Sequence, residues 1–138
     1  MKVLKNTKEL TIFLSKESED NVIAFVPTMG ALHDGHISLI KNAKSSSDLV
    51  VCSIFVNPTQ FNNSTDLEKY PRTIERDIEI LEQENCDILY LPEVSDLYSE
   101  NEKSKHFDFN GLDNFMEGSG RKGHFDGVAT IVEKLFRI

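Results

Sequence analysis

The sequence predicts an α/β protein with a doubly wound parallel sheet. Three short apolar runs, at residues 22–26, 49–56 and 88–91, are rich in strand-forming side chains, and each is followed within two residues by a proline. Strands that are apolar on both faces are typical of parallel sheets that helices cover on both sides. Helical patterns separate the runs, and this alternation of strand and helix predicts βαβ units.

Four amphipathic helices accompany the predicted strands. In chain order they cover residues 7–15, 35–46, 73–83 and 125–136. The third is the most regular, because Ile74, Ile78 and Leu81 recur at i, i+4 and i+7 and therefore share one face.

Two segments do not fit the strand and helix pattern. Residues 57–71 are polar and rich in turn formers, and we interpret them as a candidate binding loop. Residues 93–117 carry seven acidic side chains against two lysines, which is typical of a solvated surface excursion.

The end of the sequence is apolar, and we expect Leu135, Phe136 and Ile138 to form an exposed apolar end. Three strands and a final helix without a polar tail indicate part of a larger sheet. We therefore interpret residues 1–138 as a single, partial domain with a truncated sheet.

Composition excludes several classes of partner. With 15 Lys and Arg against 23 Asp and Glu, the net charge is −8, which argues against nucleic acid. No apolar run approaches the roughly 20 residues of a membrane helix, and residues 1–14 lack the apolar core of a signal peptide. Because Cys52 and Cys86 lie within apolar stretches, we expect a cytoplasmic protein without a membrane partner.

The most specific motif lies between the first predicted strand and the second predicted helix. It is Pro27, Thr28, Met29, Gly30, Ala31, Leu32, His33, Asp34, Gly35 and His36. A helix that begins at the carboxyl end of a parallel strand offers free N–H groups and the positive end of its dipole to an anion. Two imidazoles beside those groups could donate hydrogen bonds to a phosphoryl group as charge develops on it.

Two other interpretations of this motif remain open. His33 and His36 could serve only as turn and capping residues. They could also form half of a zinc site, but that site needs further ligands and neither cysteine is placed to supply one. We expect no metal bound by protein side chains. The dinucleotide and Walker glycine motifs are both absent, so a nucleotide would have to bind through His-x-Gly-His.

A second motif follows the second predicted strand and contains Asn57 and Gln60. Since carboxyl ends of parallel strands lie at one edge of a sheet, these amides are expected near the histidines. An amide both donates and accepts hydrogen bonds, which suits a substrate with hydroxyl and carboxylate groups. The alternative is an Asn-Pro turn with a surface glutamine.

A third motif, residues 120–127, places Arg121, Lys122 and His124 just after the acidic segment. It could be an anion site or a loop with solvated charges, and the residues alone favour neither.

Taken in order, these motifs resemble the pantoate–β-alanine ligase family. The resemblance covers nearly the whole chain. It rests on residues 26–36, 53–61, 70–72, 117–118 and 123–130. The His-x-Gly-His motif alone would indicate only the wider nucleotidyltransferase superfamily.

The resemblance implies a Rossmann-like fold of the His-x-Gly-His nucleotidyltransferase type and a two-step reaction. ATP and pantoate would give pantoyl adenylate and pyrophosphate with the help of Mg²⁺, and β-alanine would then displace AMP to form pantothenate. The resemblance also implies a homodimer for the full-length family.

Residue roles are implied by the same resemblance. Residues 29–36 would line the ATP site, with His33 and His36 stabilising the α-phosphate transition state and His36 donating a proton. Gln60 would bind pantoate and help form the β-alanine site. Asn57, Arg121 and His124 match positions near the site.

Family chains are considerably longer than 138 residues and continue into segments that complete the nucleotide site. We therefore interpret this chain as the front half of a nucleotide-binding domain. Two alternatives stay open: another His-x-Gly-His nucleotidyltransferase with a different acceptor, and a non-catalytic domain that binds a ligand or a partner.

Overall fold

Four strands form one parallel sheet in the computed structural model, which describes residues 1–138. They are β1 (Lys2–Leu4), β2 (Ile23–Thr28), β3 (Leu49–Ile54) and β4 (Ile88–Tyr90). The order across the sheet is β1-β4-β3-β2, and every neighbouring pair is parallel. The predicted α/β class and parallel sheet are confirmed.

Seven helices connect or follow the strands. They are α1 (Thr7–Glu17), α2 (Asp34–Ser46), α3 (Ser64–Lys69), α4 (Ile74–Gln83), α5 (Val94–Leu97), α6 (Glu117–Gly120) and α7 (His124–Phe136). Two 3₁₀ helices, Pro58–Gln60 and Leu112–Asn114, are also present. None of the helices combines the length and apolar character that crossing a membrane requires.

The sheet is covered on both faces, as predicted. On one face Val51 and Ile88 pack in a cluster with Leu10 of α1 and Ile131 of α7. On the other face the alternate residues of the same strands join Ile40 of α2 and Leu81 of α4. Because successive residues of a strand point to opposite faces, both faces of β3 are buried, and Ser53 is its one polar residue.

The structure corrects three expectations. A strand at Lys2–Leu4 was not predicted, because three residues of mixed polarity carry no periodic signal. The expected loop at 57–71 contains the Pro58–Gln60 turn and α3, and Asn57 and Asn63 cap these elements with their side chains. The expected apolar end is only partly exposed, since Leu135 is buried whereas Phe136 is 64% exposed.

The proline at position 27 does not end β2, which continues to Thr28. Pro27 pairs in register with Ser53, and β2 is an edge strand. An edge strand tolerates proline because one side of its backbone needs no ladder hydrogen bond. The strand therefore brings Thr28 to the carboxyl edge of the sheet, directly before the histidine motif.

Candidate active site at the carboxyl edge of the sheet

A cavity of about 230 Å³ opens at the carboxyl ends of β2 and β3. We call it the rim cavity. One wall is apolar and consists of Pro27, Phe55, Val128, Ile131, Val132 and Leu135. Met29, Thr28, His36, Asn57, Gln60 and Tyr70 form the remainder. Residues from the first and second sequence motifs thus line one cavity, together with the inner face of α7.

His33 and His36 are linked by hydrogen bonds between their rings and the backbone N–H groups at the N-terminus of α2. His33 is the N-cap, and its Nδ1 accepts a hydrogen bond from the Gly35 N–H at 3.1 Å. The His33 N–H in turn donates to Nδ1 of His36 at 3.3 Å, and the ring centroids are 4.1 Å apart. This reciprocal arrangement is a capping box in which histidines replace the usual Ser and Glu.

Glycine at position 35 is required by the cap. A Cβ on Gly35 would lie 3.0 Å from Cε1 of His33, so any larger residue would displace the ring. The glycine in His-x-Gly-His is therefore needed because the His33 ring packs directly over the backbone at position 35. Capping and phosphate binding are compatible, because the cap uses only one nitrogen of each ring.

The cap also fixes which nitrogen carries the proton. A backbone N–H can only donate, so Nδ1 of each imidazole must be the acceptor and neutral His33 and His36 carry hydrogen on Nε2. Burial and then the charge of His33 lower the pKa of His36, outweighing the opposite effect of Asp77. With Nδ1 engaged as an acceptor, each ring can present an Nε2–H donor.

The turn before α2 is strained and is held by a carboxylate that the sequence interpretation missed. Gly30 and Ala31 both have positive φ, of 79° and 51°. Asp77 of α4 is 1% exposed and accepts from the N–H groups of Ala31 at 2.9 Å and Leu32 at 2.8 Å. It also accepts from Thr73 Oγ1 at 3.2 Å. Its spacing from Ile74 and Leu81, which puts it on the apolar face of α4, is the signal that could have indicated burial, and a buried acid needs such partners.

The remaining residues of the first motif divide between interior and surface. Met29 borders the rim cavity, and Leu32 is buried in the core beneath α2. Asp34 and His33 are exposed at the start of the helix. An exposed acid in the first turn stabilises the helix dipole.

Asn57 and Gln60 lie together at the base of the rim cavity. Asn57 is 1% exposed, and its Nδ2 donates to Gln60 Oε1 and to the Gly127 carbonyl, both at 3.0 Å. Gln60 is 7% exposed, and its Nε2 contacts the sulfur of Met29 at 3.1 Å. The amide of Gln60 therefore connects the second motif to the first.

The third motif is divided by the structure. His124 Nδ1 donates to the Gln60 carbonyl at 3.0 Å, which places the start of α7 against the Pro58–Gln60 turn. Arg121 instead pairs with Glu117 at 3.2 Å and lines a separate polar cavity with Lys122 and Asp113. The structure therefore places His124 against the backbone of Gln60, but neither His124 nor Arg121 lines the rim cavity.

No group of three or more His, Cys, Asp or Glu side chains is placed where it could hold a metal ion. His33 and His36 therefore have no third protein ligand for zinc, which takes four ligands in structural sites and three in catalytic ones. Their Nδ1 atoms are already engaged by backbone N–H groups.

Comparison with known proteins gives a consistent result. The family model described as pantoate-beta-alanine ligase matches residues 2–138. A pantothenate synthetase of Christiangramia forsetii is 50% identical over 140 residues, covering 100% of this chain and 50% of the relative. One from Aquifex aeolicus is 50% identical, covering 99% of this chain and 48% of the relative.

Solved structures match the whole of this fold. Pantoate-beta-alanine ligase from Francisella tularensis, complexed with beta-gamma ATP and beta-alanine, aligns with a TM-score of 0.92 at 44% identity. The alignment covers 99% of this chain and 52% of that one. Pantothenate synthetase from Thermus thermophilus aligns with a TM-score of 0.86 at 38% identity, over 99% and 48% of the two chains.

This chain spans about half the length of the curated relatives it matches. The match nevertheless extends through all four strands and includes every residue of the rim cavity, so the chain belongs to the pantoate–β-alanine ligase family.

Proposed function

We propose that this chain forms the pantoate-binding and α-phosphate-binding part of an ATP-dependent pantoate–β-alanine ligase. In that reaction pantoate attacks the α-phosphate of ATP, pyrophosphate leaves, and the amine of β-alanine displaces AMP from pantoyl adenylate. Residues 1–138 would be one partial nucleotide-binding domain. The observation that carries the proposal is that His36 and Gln60 line the same cavity.

The shape and polarity of the rim cavity fit pantoate. The apolar wall, which includes Val128, Ile131 and Val132 of α7, suits a branched aliphatic chain. The amide of Gln60 also lines the cavity, and it can bond the carboxylate or a hydroxyl of the acid. We assign this contact to Gln60 and place the reacting carboxylate on the side of His36.

The N-terminus of α2 suits the α-phosphate. The helix dipole attracts negative charge, and the Nε2–H groups of His33 and His36 can donate to non-bridging oxygens. Donors fixed in advance stabilise the extra charge of the transition state without reorganising. We propose that neutral His36 stabilises the departing pyrophosphate by donating an Nε2–H hydrogen bond, because full transfer of that proton would leave an imidazolate.

ATP and β-alanine as ligands are supported by the Francisella tularensis complex. The residues of this chain do not account for Mg²⁺ binding. The residues around the histidines form no carboxylate group that would hold Mg²⁺ by itself, so they do not make a Mg²⁺ site. Mg²⁺ commonly binds through substrate phosphates, and we derive no step from it.

The two free cysteines are consistent with a reducing compartment. Cys52 and Cys86 are buried and unpaired. Burial raises the pKa of Cys52 to about 12, so its thiol stays protonated and unreactive. We place the protein in the cytoplasm.

Pantoate-dependent release of pyrophosphate from Mg-ATP tests the proposed reaction. We expect release with pantoate, and a rate about 100- to 1,000-fold lower in His36→Ala, because one transition-state donor is lost. Lys41→Ala, an exposed change on the same helix, is the matched control and should leave the rate unchanged. Release with another carboxylic acid but not with pantoate would favour a different nucleotidyltransferase. Ligand binding without release would restrict the proposal to binding.

A further inference from the structure

Tyr98 lies outside every sequence motif, yet its hydroxyl bonds Asn57, which lines the rim cavity. The residue caps the C-terminus of α5 and is 7% exposed. Its hydroxyl donates to Asn57 Oδ1 at 2.8 Å and lies 3.2 Å from Thr59 Oγ1. Phe55 stacks on its ring at 6.4 Å, and Lys134 Nζ lies 4.9 Å from its centroid. These contacts fix the Tyr98 side chain in the orientation in which its hydroxyl donates to Asn57.

The orientation of the Asn57 amide follows from its backbone partners. The Gly127 carbonyl can only accept, so the atom facing it must be Nδ2. The Thr59 N–H can only donate, so the atom facing it must be Oδ1. The Thr59 hydroxyl also donates to that oxygen, at 3.1 Å, and Tyr98 supplies the shortest of its three hydrogen bonds, at 2.8 Å. Both ends of the amide are thus used by the protein, and no hydrogen of Nδ2 is left for a ligand.

The orientation of Gln60 follows in turn. Because Nδ2 of Asn57 donates to it, the facing atom of Gln60 must be Oε1. Nε2 of Gln60 then turns toward Met29, whose sulfur is only a weak acceptor. One N–H of Gln60 is therefore presented to the rim cavity as a donor.

From this chain of contacts we infer that Tyr98 is a positioning residue for the acid substrate, acting through Asn57 to hold Gln60 with its N–H toward the cavity. The inference rests on the proposed function, since it takes pantoate as the occupant. The inference also predicts that the pantoate group next to Gln60 is a hydrogen-bond acceptor. That acceptor is an oxygen of the carboxylate or of a hydroxyl. Asn57 then acts by orienting Gln60 and makes no contact of its own with substrate.

The experiment is a calorimetric titration of pantoate into the wild-type chain, Tyr98→Phe and Tyr90→Phe. Tyr90 is the matched control, because its hydroxyl is also buried and also lies 2.8 Å from a threonine, Thr7 Oγ1. Both changes remove one buried hydroxyl. We expect Tyr98→Phe to weaken pantoate binding about threefold to tenfold and Tyr90→Phe to leave it within about twofold.

The outcomes separate the two proposals. If the wild-type chain does not bind pantoate, the proposed function fails and the inference fails with it. If the wild type binds and the two phenylalanine variants have equal affinity, the proposed function stands and the positioning role of Tyr98 is overturned. Circular dichroism of each variant shows whether it is folded.

A second variant tests the direction of the Gln60 amide and does not depend on Tyr98→Phe folding. Gln60→Glu keeps the shape of the side chain but presents an oxygen where Nε2 now lies. We expect pantoate binding to fall more than about tenfold, because two acceptors then face each other. Unchanged affinity in Gln60→Glu would overturn the inferred donor.

Discussion

The imidazole of His36 is shared between the helix cap and the proposed chemistry. Its Nδ1 receives the N–H of His33, and its Nε2 is left for a ligand. A protonated ring cannot accept that bond, so the cap depends on the neutral form. The lowered pKa of His36 is consistent with this dependence.

The stability of the chain is therefore expected to fall in mild acid through His36. Unfolded chains protonate histidine near pH 6.5, whereas the folded pKa of His36 lies lower because of burial and His33. Protons then bind the unfolded state preferentially, so stability is lost as pH falls from about 6.5 toward the folded pKa and is unaffected above it. Thermal midpoints at pH 7.5 and 5.5 test this, with His36→Asn as reference.

The comparison with His36→Asn is needed because His106 titrates in the opposite sense. Hydrogen bonding to Asp126 raises the pKa of His106, and its contribution is therefore present at low pH and lost as pH rises. A midpoint that falls equally in wild type and His36→Asn would contradict the assignment to His36.

Asp77 is the residue on which the strained turn at Ala31 depends. Asp77→Asn would place an NH₂ group against one of the N–H or O–H donors that now meet a carboxylate oxygen. We expect a loss of about 1–3 kcal/mol in the free energy of unfolding, the usual cost of an unsatisfied buried group. Urea unfolding measures it, with Glu75→Gln, an exposed acid on the same helix, as the control. A loss no larger than that of the control would contradict the role of Asp77.

At the level of single residues, sequence reasoning located the histidines because glycines and spacing mark them. It did not find Asp77 or Tyr98 as part of the site. Asp77 acts on Ala31 from 46 positions away and Tyr98 acts on Asn57 from 41 positions away. Such contacts depend on which helix packs over which strand end, and no local pattern records that.

The contact between the Pro58–Gln60 turn and α7 determines where Gln60 lies. Asn57 bonds the Gly127 carbonyl, His124 bonds the Gln60 carbonyl, and Gly127 lies directly against the turn. A Cβ at Gly127 would fall 2.6 Å from Gln60 Cα and from the Thr59 carbonyl oxygen. Glycine within α7 is thus required by close backbone approach.

Gly127→Ala is expected to destabilise the protein although alanine favours helix. Helix propensity alone would add about 1 kcal/mol, but overpacking against backbone typically costs about 1–3 kcal/mol and would move Gln60. We expect a net loss in urea unfolding and weaker pantoate binding. Gly120→Ala is the control, since nothing lies within 4 Å of its Cβ position. A stabilised Gly127→Ala variant would contradict the close approach.

Elements with long apolar periodicity were predicted well and short ones were not. The four predicted helices correspond to α1, α2, α4 and α7, with ends within two residues. β1 and α3 were missed because three and six residues are too few to show a period. Their stability comes from pairing with β4 in the first case and from the Asn63 cap in the second.

The two layers around the sheet are expected to be energetically independent. Ile40 packs on one face and Ile88 on the other, and both are at most 1% exposed. Each Ile→Val change should cost about 0.5–1.5 kcal/mol, and the double variant should equal the sum within about 0.5 kcal/mol. Urea unfolding of the three variants measures this. Strong coupling between them would contradict the arrangement of the layers.

The central claim for the whole molecule is that the carboxyl edge of the sheet already holds a formed site for pantoate. The most direct test is the thermal midpoint of the chain with and without millimolar pantoate and Mg-ATP. A ligand at about 100 times its Kd stabilises the folded state by about 2.7 kcal/mol, a rise of roughly 5–10 °C for a domain of this size. We predict a rise with pantoate that His36→Ala retains and Gln60→Ala removes. No rise with either ligand, or a rise that survives in Gln60→Ala, would contradict the account.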